Sequence, residues 1–338
     1  MSYKKYSFVT VFLLVFSASL LFLVPAAFGE STDPYIRVDK HGSDVVYGEL
    51  SNVRFLADDL FEFQEPNGKY DIDPDFTPSK EGLDTLCISG SAQFSIPQFK
   101  SLAEDLRSYA GKRTVYILDL RRESHVLVNE GFPLSWYGLH NWANLDMSTA
   151  EIEADEINRF EMMIGKTISA YYVKSDFPSD PLEIEVRHVI TERDLVEGEG
   201  FAYIRLPIQD HTWPKAEEID AFVSLIRSID PEQSWLHFHC QAGKGRTGIM
   251  MTLYDMMINP DVPMEDIVVR QTLLGGSYPL YTGDSDSYKA PYSEEKARMT
   301  PMFYAYVQDQ HESNYEIPWS AWLEEQEALL PAAGYISR

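Results

Sequence analysis

Trp235-Leu236-His237-Phe238-His239-Cys240-Gln241-Ala242-Gly243-Lys244-Gly245-Arg246-Thr247-Gly248 is an apolar strand, a glycine-punctuated loop and a helix start in one run. Its reading decides the fold. The segment between Cys240 and Arg246 is one turn of loop, long enough to aim the backbone N–H groups of Gln241, Ala242, Gly243, Lys244 and Gly245 at the oxygens of one phosphoryl group. Gly243 and Gly245 permit the tight path that this needs. From Thr247 the apolar run Thr-Gly-Ile-Met-Met-Thr-Leu-Tyr-Asp-Met-Met-Ile reads as a helix, so its N-terminal dipole points at the anion and at the sulfur. A helix N-terminus and neighbouring cations favour thiolate over thiol, which makes Cys240 a candidate nucleophile. Arg246 offers a planar fork for two phosphoryl oxygens, and Thr247 offers a hydroxyl to the sulfur when it departs.

A cysteine-based phosphoryl transfer also needs a separate acid. Ile204-Arg205-Leu206-Pro207-Ile208-Gln209-Asp210-His211-Thr212-Trp213-Pro214 follows a strand-like segment and precedes a helical one. A carboxyl there can protonate a departing alkoxide and then, as carboxylate, deprotonate a water. Asp210 is the candidate, and capping of the following helix is its competing role.

The loop resembles that of the cysteine-dependent phosphatases. Asp210-His211-x-Trp213-Pro214, Ser89-Gly90-Ser91-Ala92-Gln93-Phe94 and Ser135-Trp136-Tyr137-Gly138-x-x-x-Trp142-Ala143-Asn144-Leu145 narrow the resemblance to the bacterial protein-tyrosine-phosphatase-like phytases. It extends through Asp119-Leu120-Arg121-Arg122-Glu123-Ser124-His125, Arg270-Gln271-x-x-x-Gly275-Gly276 and Pro318-Trp319-Ser320-x-Trp322-Leu323. The resemblance implies metal-independent hydrolysis of myo-inositol hexakisphosphate and lower inositol polyphosphates, through a cysteinyl-phosphate and without a cofactor. It further implies that Arg54, His211, Lys289 and Lys296 hold substrate phosphates. Protein-tyrosine phosphatases and phosphoinositide phosphatases share the same catalytic residues and remain the alternatives.

There are departures from the family pattern. Asn141 stands where an acidic residue is common, and Val173-Lys174-Ser175-Asp176 is short and weakly basic. Lys244 replaces a small apolar residue and Gly248 a threonine, so that Gln241 to Gly248 is similar to the loop of tensin-related phosphoinositide phosphatases.

A formal charge of −25 over 338 residues argues against nucleic acid or a stable association with an anionic membrane as partner. A polyanionic substrate must then be captured by local cations, for which Arg54, Lys244, Arg246, Lys289 and Lys296 are the candidates. Lys4-Lys5, the apolar stretch from Phe8 to Val24 and Ala27-Phe28-Gly29 read as a secretory signal at 1–29, cleaved after Gly29. This places the protein in the periplasm or outside the cell. The apolar run is also near the ~20 residues of a membrane span, which makes an uncleaved anchor the competing reading. Only Cys87 and Cys240 occur. This excludes a disulfide-built scaffold and leaves a reversible Cys87–Cys240 bridge as a minor option. The histidines and acidic residues show no metal-ligand spacing.

Helical patterns at 98–109, 148–164, 216–229, 248–258, 264–274 and 298–310 alternate with strand-like runs at 114–119, 182–190, 202–206 and 235–238. They predict an α/β layered fold with a central sheet flanked by helices. The family resemblance implies one phosphatase domain over 30–338, with a small, partly open β-barrel inserted at about 122–200. Residues 276–291 read as a loop that brings Lys289 over the site, and Trp136, Tyr137 and Trp142 read as packing residues.

Overall fold

The computed structural model describes residues 35–39, 45–66, 68–174, 177–283 and 286–329. The proposed leader therefore falls outside the described residues. The strands are β1 (Tyr35–Val38), β2 (Arg54–Leu56), β3 (Ile88–Ser91), β4 (Thr114–Arg121), β5 (His125–Val128), β6 (Phe132–Tyr137), β7 (Thr167–Lys174), β8 (Phe177–Glu185), β9 (Val189–Ile190), β10 (Ala202–Ile208) and β11 (Ser234–His239). The helices are α1 (Ile96–Ala110), α2 (Thr149–Glu161), α3 (Glu192–Gly198), α4 (Ala216–Ser228), α5 (Gly245–Ile258), α6 (Met264–Leu273), α7 (Ala290–Gln310) and α8 (Trp319–Leu329). Local chemistry sets several boundaries. Ser95 with Gln98 and Ser148 with Glu151 form reciprocal capping boxes that start α1 and α2.

The central sheet has the order β10-β4-β11-β3-β2. Its first four strands are parallel, and β2 pairs antiparallel with β3. Strand pleating sends alternate residues to opposite faces. Val115, Ile117 and Trp235 pack against α1 and α3 on one face. Leu118, Leu120, Leu236 and Phe238 pack against α4, α5, α6 and α7 on the other. Helix α5 is buried from Arg246 through Met257, as expected for a helix that is apolar nearly all round. This central position explains why the sequence from Thr247 onward lacks a polar face.

A second, six-stranded sheet has the order β8-β7-β1-β6-β5-β9. It draws on residues 125–190, within the expected insertion, and also on β1 from the start of the described chain. Among the described residues β8 and β9 are its edges, so the sheet is open. The expected strand at 182–190 is split between β8 and β9. Helix α7 begins at Ala290 rather than near Arg298. Among the described residues no helix is long and apolar enough to cross a membrane.

The option of a Cys87–Cys240 bridge is corrected by the strand register. Strand β11 runs parallel to β3 with Leu236 opposite Ile88, so Cys87 lies level with the start of β11 while Cys240 follows its end. About five residues of strand at ~3.3 Å each separate the two levels, well beyond the ~7 Å Cα limit for a disulfide. Both cysteines are free and buried.

A buried ion pair joins α5 to α6. Arg270 Nε donates to Asp255 Oδ2 at 2.8 Å, its second nitrogen bonds Asp255 Oδ1, and Gln271 adds a 2.8 Å bond. Arg270 also donates to the Ser79 and Glu81 carbonyls at 3.1 and 2.9 Å, anchoring the long loop that follows β2. Replacing one partner of a buried pair leaves the other charge uncompensated, at a cost of about 3–5 kcal/mol. Arg270→Met is expected to lower unfolding stability by that amount in urea titrations, and an unchanged midpoint would show the pair to be dispensable.

Candidate active site

Cys240 follows β11, and Gly245 begins α5. The loop between them is held from outside by its carbonyls. Gln241 O accepts from Gln93 N at 3.1 Å, Ala242 O from Asn52 Nδ2 at 2.8 Å, and Gly243 O from Arg54 Nη1 at 2.8 Å. Lys244 O accepts from the Gly248 and Ser277 N–H groups at 3.0 and 3.2 Å. With four successive carbonyls so engaged, the N–H groups of the loop are the donors left for an anion. Gly243 has φ +71°, and a Cβ there would sit 2.5 Å from the backbone of Ser91 and Ala92. The loop can therefore lie this close to the end of β3 only with glycine at 243. Gly248 and Gly276 make a similar approach, a Cβ on Gly248 falling 2.9 Å from Gly276 Cα. That contact accounts for glycine in place of threonine at 248.

Behind the loop, His237 lies between two serines of β3, with Nδ1 2.9 Å from Ser89 Oγ and Nε2 3.0 Å from Ser91 Oγ. Ser91 spends its proton on Ala92 O, and Ser89 Oγ accepts from Trp235 Nε1. The network therefore assigns the His237 proton to Nε2. Burial first, then His239 and Arg54, hold its pKa well below the usual value, so His237 is neutral. The Ser89-Gly90-Ser91 motif is thus a brace for the strand that carries Cys240.

Arg246 is 2% exposed. Its fork meets Glu123 in a bidentate pair, Nη1 to Oε2 at 2.8 Å and Nη2 to Oε1 at 3.0 Å. Nη1 also reaches the carbonyls of Ile208 and Leu120 at 3.2 and 3.4 Å. Its Nε lies 3.4 Å from Asp210 Oδ1. Glu123 is fully buried, yet Arg246, Arg121 and Arg37 outweigh the burial penalty and hold its pKa well below the carboxylate norm. Arg121 continues the chain to Asp39 at 2.8 Å, and the Asp39 carbonyl accepts Gln241 Nε2 at 2.6 Å. The β1 end and the β4–β5 turn thereby reach the catalytic loop through ion pairs.

Asp210 lies beside Arg246 as expected from sequence. Asn141 Nδ2 bridges it to Glu123, at 2.9 Å to Asp210 Oδ2 and 3.1 Å to Glu123 Oε1. Trp142 Nε1 donates to the Asp210 carbonyl at 2.9 Å, and Lys296 Nζ to the His211 carbonyl at 2.9 Å. Trp142 therefore also holds the acid loop, besides packing 5.2 Å from both His140 and Tyr292. Burial pushes the Asp210 carboxyl up, but Arg246, His211 and Asn141 outweigh it and lower its pKa. His211, at φ +71°, is depressed by burial and by Lys289, Arg246 and Lys296, against the pull of Asp210. Thr247 Oγ1 is buried and makes no hydrogen bond among the described residues.

Two adjoining cavities flank the loop, with Tyr70 and Ser277 lining both. One, of about 180 Å³, brings together Asp210, His211, Gly245, Arg246, Lys289 and Lys296. The other, of about 240 Å³, holds Arg54 and Lys244. Burial lowers the Arg54 pKa to about 10 despite the favourable field of Cys240, so it stays cationic. Its Nε and one terminal nitrogen are buried without hydrogen-bond partners among the described residues. Of the cations picked from sequence, Arg54 and Lys244 thus line one cavity and Arg246, Lys289 and Lys296 the other. The side chain of Lys174 is not among those described.

Sequence reasoning placed Glu123, Arg121 and Gln93 in motifs without giving them roles, and it did not find Asp39, Glu192 or Lys69. Asp119, Glu192 and His239 bring potential ligand atoms within 4.8 Å of one another. Both carboxylates are already held, Asp119 by Tyr203 at 2.7 Å and Arg205 at 3.4 Å, Glu192 by Gln93 at 2.8 Å and His125 at 3.2 Å. A metal ion would face the buried Arg205 guanidinium and compete with donors already in place, and the trio is better understood as part of a hydrogen-bonded ion-pair network.

The PTP-like phytase family profile, described as "Inositol hexakisphosphate", matches residues 118–258. The PTP-like myo-inositol phosphatase from Mitsuokella multacida, solved in complex with myo-inositol-(1,3,4,5)-tetrakisphosphate, is 39% identical with TM-score 0.78, over 86% of this chain and 49% of that one. A PTP-like phytase from Bdellovibrio bacteriovorus is 29% identical with TM-score 0.65, over 86% of this chain and 95% of that one. The chain is thus similar to the PTP-like phytases in both sequence and fold. The effector protein hopD2 of Pseudomonas syringae pv. tomato is 30% identical over 250 residues, 71% of this chain and 52% of its own. The chain spans about half the length of the Mitsuokella and Pseudomonas relatives.

Asn141, where the family pattern favours an acid, generates a prediction. An anion at that position would face both Asp210 and Glu123, and a neighbouring like charge favours the protonated carboxyl. Asn141→Asp is expected to raise the Asp210 pKa, so the acid keeps its proton to higher pH and the alkaline limb of the kcat/KM profile moves upward. A limb that stays put or moves to lower pH would remove Asn141 from control of Asp210.

Proposed function

We propose that the protein is a phosphoric monoester hydrolase that removes phosphates from myo-inositol hexakisphosphate and lower inositol polyphosphates through a cysteinyl-phosphate. The observation that carries this reading is the cavity in which Arg246 and Asp210 meet Lys289 and Lys296 beside the Cys240 loop. A simple phosphomonoester is satisfied by the loop and Arg246, whereas additional lysines suit a ligand with further anionic groups. The Mitsuokella relative's bound inositol tetrakisphosphate supports the same substrate class.

The Cys240 thiolate attacks phosphorus, the ester P–O bond breaks, and the departing oxygen takes the proton of Asp210. Water then attacks the phosphorus, the P–S bond breaks, and the Asp210 carboxylate accepts the water proton. Thr247 Oγ1, buried and without another hydrogen bond among the described residues, donates to the departing sulfur. The lowered pKa of Asp210 is answered by the substrate itself. A phosphoryl dianion on Arg246 neutralises the cation that depresses Asp210 and adds negative charge beside it, so the acid gains its proton as substrate binds. No step requires a metal.

The decisive experiment follows phosphate release from inositol hexakisphosphate in the presence of a chelator, with Cys240→Ser and Asp210→Asn beside the parent. Release is expected from the parent, none from Cys240→Ser, and about 10²–10⁴-fold less from Asp210→Asn. Turnover confined to phosphotyrosine peptide would instead establish a protein-tyrosine phosphatase, and release that ends with the chelator would overturn the metal-free step. Export with cleavage after Gly29 belongs to the same proposal. N-terminal sequencing of protein recovered from periplasm or medium is expected to begin at Glu30, and a retained leader would count against it.

A further inference from the structure

We propose that Lys69 is a further specificity-determining residue that holds a peripheral phosphate of the substrate, together with Lys289 and Lys296. This rests on the inositol-polyphosphate reading above and adds to it a contact from a separate part of the chain. Lys69 belongs to the long loop between β2 and β3. That loop brings it to the cavity of Asp210, His211 and Arg246, where it lines the wall with Lys289 and Lys296. The cavity therefore has four cations from three separate segments: the β2–β3 loop, the start of α5, and the start of α7.

Aromatic packing localises the Lys69 ammonium. Its Nζ lies 5.0 Å from the Tyr281 ring centroid and 5.6 Å from that of Tyr70, within the range of cation–π attraction. The Tyr70 ring in turn packs 5.4 Å from Tyr281 and 5.6 Å from Tyr278. These tyrosines form a wall between the β2–β3 loop and the segment that leads to α7, and Tyr70 borders both cavities. Lys69 thus has a defined place at the edge of the site. It also acts electrostatically there. Burial is the main cause of the lowered Lys296 pKa, with Lys289 and Lys69 as the like charges that add to it.

The chemistry of this arrangement points to a polyanion. The chain carries −25 overall, so convergence of like-charged lysines is an exception to its general field. Their mutual repulsion is relieved when phosphates enter between them. A substrate with one phosphate has no group to offer Lys69 once that phosphate sits on Arg246. One with several phosphates does.

The test compares parent, Lys69→Met and Lys69→Arg on inositol hexakisphosphate and on p-nitrophenyl phosphate at low and moderate salt. In Lys69→Met the ratio of kcat/KM for the hexakisphosphate to that for p-nitrophenyl phosphate is expected to fall about tenfold, chiefly through KM, as for loss of one charged contact. Lys69→Arg is expected to restore most of it. An unchanged ratio in an active Lys69→Met enzyme, or an equal loss on both substrates, would overturn the role of Lys69 alone. A parent enzyme that turns over p-nitrophenyl phosphate and releases nothing from the hexakisphosphate would overturn the inositol reading and the assignment of Lys69 with it.

Discussion

The bidentate pair between Arg246 and Glu123 joins the parts of this molecule that have to agree. Both side chains are buried, where an unpaired charge costs several kcal/mol. The pair therefore demands that the first turn of α5 and the residues after β4 come to a fixed distance. Glu123 is satisfied only with Arg121 and Asn141 in place, and Arg121 only with Asp39. The open second sheet is thereby tied to the catalytic loop at its β1 end and through the turn that carries Asn141. Such an arrangement suits the anion-binding role proposed for Arg246. Its fork is aligned in advance by a carboxylate behind it, leaving Nε turned toward Asp210.

The loop is under the same constraint from its outer side. Donors from Asn52, Arg54, Gln93 and Ser277 occupy its carbonyls, and these residues come from regions far apart in sequence. Gln93 shows the economy of the design. Its backbone holds Gln241, while its side chain accepts from Arg121 and donates to Glu192, linking the ion pairs around Arg246 to those around His239. Preorganisation of this kind leaves little to rearrange when charge develops on a phosphoryl group.

Much of the active site was legible because its chemistry is local. Cys240, the glycines and Arg246 occupy a single turn, and Asp210 lies in a loop bounded by a clear strand and a clear helix. The central strands and α4, α5 and α6 were likewise visible, since burial on one face leaves a periodic apolar record and burial all round, as in α5, a continuous one. The boundaries that escaped were those that context decides. Strand β3 overlaps the strand-like run Thr85-Leu86-Cys87-Ile88-Ser89 but extends to Ser91, because β11 and β2 pair with its serine-rich end and His237 occupies its hydroxyls. The first turns of α7 carry polar and aromatic residues that read as loop, yet they pack over Trp142 through Tyr292.

The sequence by itself determined the layered α/β class and named the candidate nucleophile, anion loop and acid, because each depends on residues within about one element of one another. Tertiary structure alone decided which charges act together. Glu123 and Asp39 look in sequence like any acidic residues beside arginines, and Lys69 like any surface lysine. Their roles arise from contacts between segments that only the folded sheet and its loops bring together. Electrostatic energy depends on distance and on burial, and neither is written in the order of residues. For the same reason the placing of Arg54 and Lys244 in one cavity and of Lys289 and Lys296 in its neighbour could be seen only once the chain was folded.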